Sequence, residues 1–341
     1  MAAERTAPRR LAHLDALRGI AALSVMIYHY TTRYDELWGH RGELLFMFPD
    51  GGIGVELFFC ISGFVIYMTL GRCRDVWEFA GKRCARLYPA YWFAVLLTFA
   101  VVTTYGLEGV EVSAFQALIN LTMLNRFVRV DFVDPVYWSL TVELLFYFWV
   151  AVFFRYGMLE RIHRTALLWL GVSMIPTALE FVFGGPAIPD LLKAILLTKH
   201  WTFFLTGMLI YRVTERGGWV WQDPALIGLS VLTLFFSASP RYVGLATVAI
   251  GIFMLTVFWA PRVMQARLPV FFGTISYALY LVHQNIGYVV IQWSYSWDLG
   301  PNTAVAIATT IAIAVASAVT FWVEVPGRRA LGRFIARVSV R

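Results

Sequence analysis

Arg18-Gly-Ile-Ala-Ala-Leu-Ser-Val-Met-Ile-Tyr-His29 puts a cation and an imidazole eleven positions apart on one predominantly apolar segment. At about 100° and about 1.5 Å per residue, the two fall nearly on one helix face, about 16 Å apart along the axis. The spacing predicts polar groups held at two depths of a membrane.

Composition supports a membrane fold. The 341 residues are 59% hydrophobic and only 14% charged, with a mean hydropathy of +0.67, against about 25% charged in ordinary soluble domains. A soluble protein of this length has a large core, but its surface needs many more polar residues. Apolar runs recur to the end of the chain, so the expected fold is all-α and polytopic. Read at about 20 residues each, they give ten spans at 14–30, 52–71, 88–105, 138–156, 166–184, 195–213, 223–238, 242–260, 271–292 and 303–323. The pair around Pro240 is short and also fits a broken or re-entrant arrangement. This membrane domain, 14–323, lies between an N-terminal segment, 1–13, and a basic tail, 324–341.

Basic residues orient the expected spans. With a cytoplasmic N-terminus, twenty of the 28 Lys and Arg residues fall on the inner side and seven on the outer, with Arg18 inside the first span. Such a bias predicts both termini in the cytoplasm and an even number of spans. It accounts for most of the formal charge of +7, so nucleic-acid binding is not expected. The first run lacks a small-x-small cleavage site and continues into His29 and Tyr30, unlike a cleaved signal peptide. The tail after Pro326 is expected to rest on the inner surface. Cys60, Cys73 and Cys84 have neither an oxidising context nor metal-cluster spacing, so no metal is expected. No sequence repeat suggests paired transporter halves.

Several polar residues stand in apolar runs, where an unpaired charge is expensive. His29 is expected near the outer end of the first span. Neutral imidazole there can take a proton from an alcohol near pH 7, although an interhelical hydrogen bond is the plainer alternative. Two carboxylates are expected at the same depth, Glu56 in Asp50-Gly-Gly-Ile-Gly-Val-Glu56 and Glu143 in Trp138-Ser-Leu-Thr-Val-Glu143. Each either orients His29, binds an acceptor hydroxyl or neutralises a buried cation. Asp15 precedes Arg18 by about one turn and either pairs with it or leaves it to an anionic ligand. In Lys82-Arg-Cys-Ala-Arg86-Leu-Tyr-Pro89, Arg83 and Arg86 form a basic patch suited to a polyphosphate. Orientation alone also produces such a patch. Ser276-Tyr-Ala-Leu-Tyr-Leu-Val-His283-Gln-Asn285 places His283 and two amides in the ninth span. No GxSxG elbow, HExxH helix or Walker A segment is present.

Taken in order, these segments resemble the acyltransferase-3 family of integral-membrane acyltransferases. Leu14-Asp-Ala-Leu-Arg-Gly19 through His29 is similar to its opening Arg-x10-His signature, and Gly54-Val-Glu-Leu-Phe-Phe-Cys-Ile-Ser-Gly63 to its second segment, with Glu56 where Asp is common. Arg83-Cys-Ala-Arg-Leu-Tyr-Pro-Ala-Tyr-Trp92, Trp138-Ser-Leu-Thr-Val-Glu143 and Ile275-Ser-Tyr-Ala-Leu-Tyr-Leu-Val-His283 follow in the family's order. Val323-Glu-Val-Pro326 resembles its closing Glu-x-Pro segment, with valine where a basic residue is frequent.

The resemblance implies transfer of an acyl group, often acetyl, from cytoplasmic acyl-CoA to an acceptor hydroxyl. Typical acceptors are sugars of surface polysaccharides or glycolipids, and sometimes antibiotics. It implies a multi-pass protein of the bacterial inner membrane, meeting membrane lipids and glycan-assembly proteins. On this expectation His29 is the base and Glu143 orients it, while Arg18, Arg83 and Arg86 hold the phosphates and thioester of acyl-CoA. Asp15, Glu56, Trp138, Ser139, Tyr277, His283 and Asn285 bind the acceptor or support those groups. The competing reading is a transporter or flippase for a glycan or lipid intermediate, because polar residues inside spans also line substrate paths.

Overall fold

The computed structural model describes residues 11–183, 190–259 and 262–338. The expected N-terminal segment therefore lies outside the described residues as far as residue 10. So do residue 184 of the fifth expected span, residue 260 of the eighth, and the last three residues of the tail.

The regular structure of the described chain is all helical, with no strand among the described residues. Its α-helices are α1 (Ala12–Tyr28), α2 (Tyr34–Trp38), α3 (Gly54–Leu70), α4 (Val76–Tyr105), α5 (Ala114–Asn120), α6 (Trp138–Arg155), α7 (Ile162–Phe183) and α8 (Asp190–Ile195). They continue with α9 (Trp201–Arg216), α10 (Gln222–Leu234), α11 (Pro240–Trp259), α12 (Arg267–Val282), α13 (Gln284–Ser296), α14 (Pro301–Val319) and α15 (Val325–Val338). Two π-helical turns, His29–Arg33 and Thr320–Glu324, interrupt this pattern. Six helical segments are long and apolar enough to cross a membrane by length and composition, among the described residues: Gly51–Leu70, Val76–Tyr105, Pro135–Arg155, Met158–Phe183, Pro240–Trp259 and Pro301–Ile335.

The elements depart from the expected spans for local reasons. The third begins twelve residues early, because Asp75 accepts the N–H groups of Trp77 and Glu78 and starts α4 at Val76. The ninth breaks at His283 into α12 and α13. There the Asn285 N–H goes to the Asp134 carboxylate at 3.0 Å, and the His283 carbonyl accepts the Tyr30 hydroxyl at 2.6 Å. Apolar character runs through this break, so hydropathy alone reads one span. The segment set apart from residue 324 as a tail also begins inside a π turn and continues as α15.

Packing around the site depends on glycine. A Cβ on Gly19 of α1 would lie 2.6 Å from the Gly273 nitrogen of α12, and one on Gly207 of α9 would lie 2.6 Å from the Phe64 nitrogen of α3. Such backbone approach is the usual adhesive of membrane helices, where dispersion replaces the hydrophobic drive. The run Trp201–Ile210 of α9 is buried on every side, as expected for a central helix. These contacts tie α1 to α12 and α3 to α9, and α1, α3, α6 and α12 line two adjoining cavities.

Candidate active site

The first cavity, of about 300 Å³, is basic. Arg18, Lys82, Arg83, Arg86 and Arg328 line it, against a single lining carboxylate, Glu143. The cations come from α1, α4 and α15. Arg86 is ion-paired with buried Glu324 and lies 5.5 Å over the Tyr277 ring. Arg83 lies 5.7 Å from the Phe79 ring and 5.9 Å from the Tyr147 ring, and its buried Nε has no hydrogen-bond partner. Lys82 is paired with Glu78 at 2.9 Å. The excess positive charge, with an unsatisfied guanidinium N–H, suits an anion carrying several oxygen acceptors.

The second cavity, of about 530 Å³, contains His29 with Tyr28, Arg33, Trp38, Trp138, Gln284, Asn285 and Tyr288 on its walls. The partners of two histidine rings set the tautomer of His29. Nδ1 of His283 faces two carbonyl oxygens, Tyr280 at 2.8 Å and Leu279 at 3.2 Å. A carbonyl can only accept, so this nitrogen carries the proton of the neutral ring and its Nε2 carries a lone pair. That Nε2 lies 3.0 Å from Nδ1 of His29, which is also 2.9 Å from the Val25 carbonyl. Nδ1 of His29 therefore carries the proton and shares it between two acceptors. Its Nε2 is left unprotonated, without a hydrogen-bond partner among the described residues, on a ring that lines the cavity.

The π turn that begins at His29 is held from outside the helix. Nε2 of His40 lies 3.0 Å from the Tyr30 carbonyl and 3.1 Å from that of Thr31, so it donates to both. The Tyr295 hydroxyl then donates to Nδ1 of His40 at 2.6 Å. His40 lies in the loop after α2, where burial holds its pKa below the ordinary imidazole value.

Glu143 does not orient His29. Its Oε1 accepts the Ser62 hydroxyl and, at 2.6 Å, the Tyr147 hydroxyl, on the basic cavity rather than beside the imidazole. The partner of His29 is His283, a neutral ring in place of the expected carboxylate. Arg18, Arg83, Arg86, Ser139 and Tyr277 line the basic cavity with Glu143. Trp138 and Asn285 line the histidine cavity, where Asn285 also donates to the Val133 carbonyl at 3.0 Å. Asp15 and Glu56 line neither cavity. Glu56 is buried and accepts the Tyr242 hydroxyl at 2.7 Å. No group of three or more His, Cys, Asp or Glu with metal-binding geometry occurs among the described residues.

The acyltransferase domain family matches residues 11–322, which carry both cavities except for Arg328. The chain belongs to the acyltransferase-3 family.

Acyltransferase-3 relatives agree at low identity. A protein of Acidianus two-tailed virus named as an acetyltransferase is 23% identical over 283 residues, 78% of this chain and 80% of the relative. The acyltransferase MdmB of Streptomyces mycarofaciens is 24% identical over 373 aligned positions, 95% of this chain and 93% of the relative. A Staphylococcus aureus protein named as an O-acetyltransferase is 23% identical over 346 positions, 85% of this chain but 52% of the relative. No solved structure matches.

Among the site groups that sequence reasoning on this acyltransferase-3 chain missed are Tyr147, Ser62, Arg328 and His40. Tyr147 had a signal, since it stands four residues after Glu143 on one helix face. Ser62 and Arg328 had none stronger than their place in matched or basic segments. His40 lies in a loop, and only the folded chain brings it against the π turn.

Proposed function

We propose that this protein transfers an acyl group, acetyl in the simplest case, from acyl-CoA in the basic cavity to a sugar hydroxyl in the histidine cavity. The acceptor would belong to a surface polysaccharide, a glycolipid or a related glycoside. The observation that carries this reading is the tautomer of His29: an imidazole whose Nε2 lone pair is free, in a cavity adjoining one with five cations.

The chemistry balances without a further reagent. Nε2 of His29 takes the proton of the acceptor hydroxyl as its oxygen attacks the thioester carbon. The new O–C bond forms, the C–S bond breaks, and the leaving thiolate takes that proton back from His29. His283 keeps the ring oriented throughout. The contacts of Glu143 with Ser62 and Tyr147 support a role at the donor end, near the arginines.

The excess of basic residues assigned to one side of the expected spans supports both termini in the cytoplasm, with a bacterial inner membrane as the proposed setting. The basic cavity would then open to cytoplasmic acyl-CoA, and the histidine cavity to acceptors handled by glycan-assembly proteins.

Purified protein reconstituted in vesicles tests the proposal. Labelled acetyl-CoA supplied on the basic side should yield labelled acceptor, and His29→Ala should lower turnover by about 10² to 10⁴-fold, the usual worth of a positioned base. Normal turnover by a folded His29→Ala protein would remove the base. Movement of an unmodified substrate without acyl-CoA consumption would replace the enzyme by a transporter.

A further inference from the structure

The two cavities share two lining residues, Val55 and Tyr280. Both are almost fully buried, at 7% and 6% exposure, and are packed where the two cavities adjoin. Tyr280 is latched in place: its hydroxyl donates to the Val136 carbonyl at 3.0 Å and accepts from the Ser139 hydroxyl at 2.7 Å. The Phe58 ring meets its edge at 5.7 Å between centroids. The Tyr280 carbonyl is also the 2.8 Å partner that fixes the tautomer of His283.

We propose that Tyr280, with Val55, is a removable partition between the acyl donor and the acceptor. This inference rests on the function proposed above. A thioester held from the basic cavity and a base in the other cavity meet only if the Tyr280 ring leaves its latch. In the closed state the ring keeps water of the histidine cavity from the thioester. In the open state the gap it leaves limits the size of the acyl group that crosses. Tyr280 is thus a positioning and specificity residue, acting through access, with its backbone tied to the histidine pair.

Two measurements test the partition, and the first needs no turnover. With Cys60, Cys73 and Cys84 replaced by Ala, Ser62→Cys places one thiol on the basic cavity. A charged, membrane-impermeant thiosulfonate is then added only to the histidine side of sealed vesicles. The thiol should be protected while Tyr280 is present and labelled readily in Tyr280→Ala. Tyr280→Phe, which keeps the ring but loses both latch hydrogen bonds, should label at least about fivefold faster than the parent, the effect of losing one ordinary hydrogen bond. Equal labelling in all three proteins would overturn the partition. The Phe variant preserves the test if the Ala variant does not fold.

The second measurement is acetyl-CoA hydrolysis to acetate and free thiol without acceptor, followed with butyryl-CoA as an alternative donor. Tyr280→Phe should raise hydrolysis, and Val55→Ala should raise the use of butyryl-CoA relative to acetyl-CoA. Unchanged hydrolysis and unchanged donor preference, in protein that turns over acetyl-CoA, would also overturn it. If the parent protein consumes no acyl-CoA with any acceptor, the proposed function has failed, and the labelling result still decides the partition.

Discussion

At His29 the proton-bearing nitrogen faces a second imidazole, where hydrolytic triads place a carboxylate. A neutral lone pair orients the ring as well as a carboxylate does, but it brings no negative charge to hold a proton on it. On the mechanism proposed above His283 positions the base, and its loss should show in chemistry rather than in donor binding. His283→Ala should lower kcat by about tenfold or more while leaving the KM for acyl-CoA unchanged, since only the step that needs an aligned base is affected. A matching rise in KM would place His283 in donor binding instead. His40 gives the same site a pH dependence. A histidine whose folded pKa is lowered favours the neutral folded form, so its contribution is complete above about 6.5 and is lost as pH falls through the folded value. Protonation puts a second N–H against the Tyr295 hydroxyl, which must turn its own proton away to accept it, and sets a charge in a half-buried place. The acid limb of the activity profile should flatten in His40→Gln, whose amide N–H groups serve the Tyr30 and Thr31 carbonyls without titrating. An unchanged acid limb would exclude His40 as its source.

Among the elements, helix contacts made through glycine set how closely the site is packed. Gly207→Ala would drive a methyl group into the α3 backbone beside Phe64. It should cost about 1–3 kcal/mol, the usual penalty of overpacking, and lower the thermal midpoint. Gly171→Ala in α7, where a Cβ meets nothing within 4 Å, should leave the midpoint unchanged or raise it slightly. Equal behaviour of the two variants would show that the α3–α9 approach carries no special constraint. This is also the scale at which the sequence is most legible. Long apolar runs read as helices because backbone groups in a bilayer have no other partners, and Arg18 and His29, eleven positions apart, line different cavities. The break at His283 was not legible, because it is stabilised by Asp134 and Tyr30 from distant segments. The partner of Glu143 was hidden for the same reason. Ser62 is 81 residues away, and apolar periodicity says nothing about which helix faces which.

Across the whole molecule, the basic cavity is assembled from both ends of the chain. Arg18 comes from α1, and Arg328 from α15, which packs so closely on α4 that a Cβ on Gly327 would lie 2.6 Å from the Pro89 side chain. Arg328→Ala should raise the KM for acyl-CoA with little change in kcat, as expected for removing a charge that holds donor and transition state alike. A fall in kcat alone would tie α15 to the chemistry instead. The late position of α15 also orders events during synthesis. His29 leaves the ribosome hundreds of residues before Arg328, and chains are made from the N-terminus at only about 5–20 residues per second. For tens of seconds the nascent chain holds its imidazole without Arg328, and on the function proposed above a chain that stalls before α15 has an incomplete donor site.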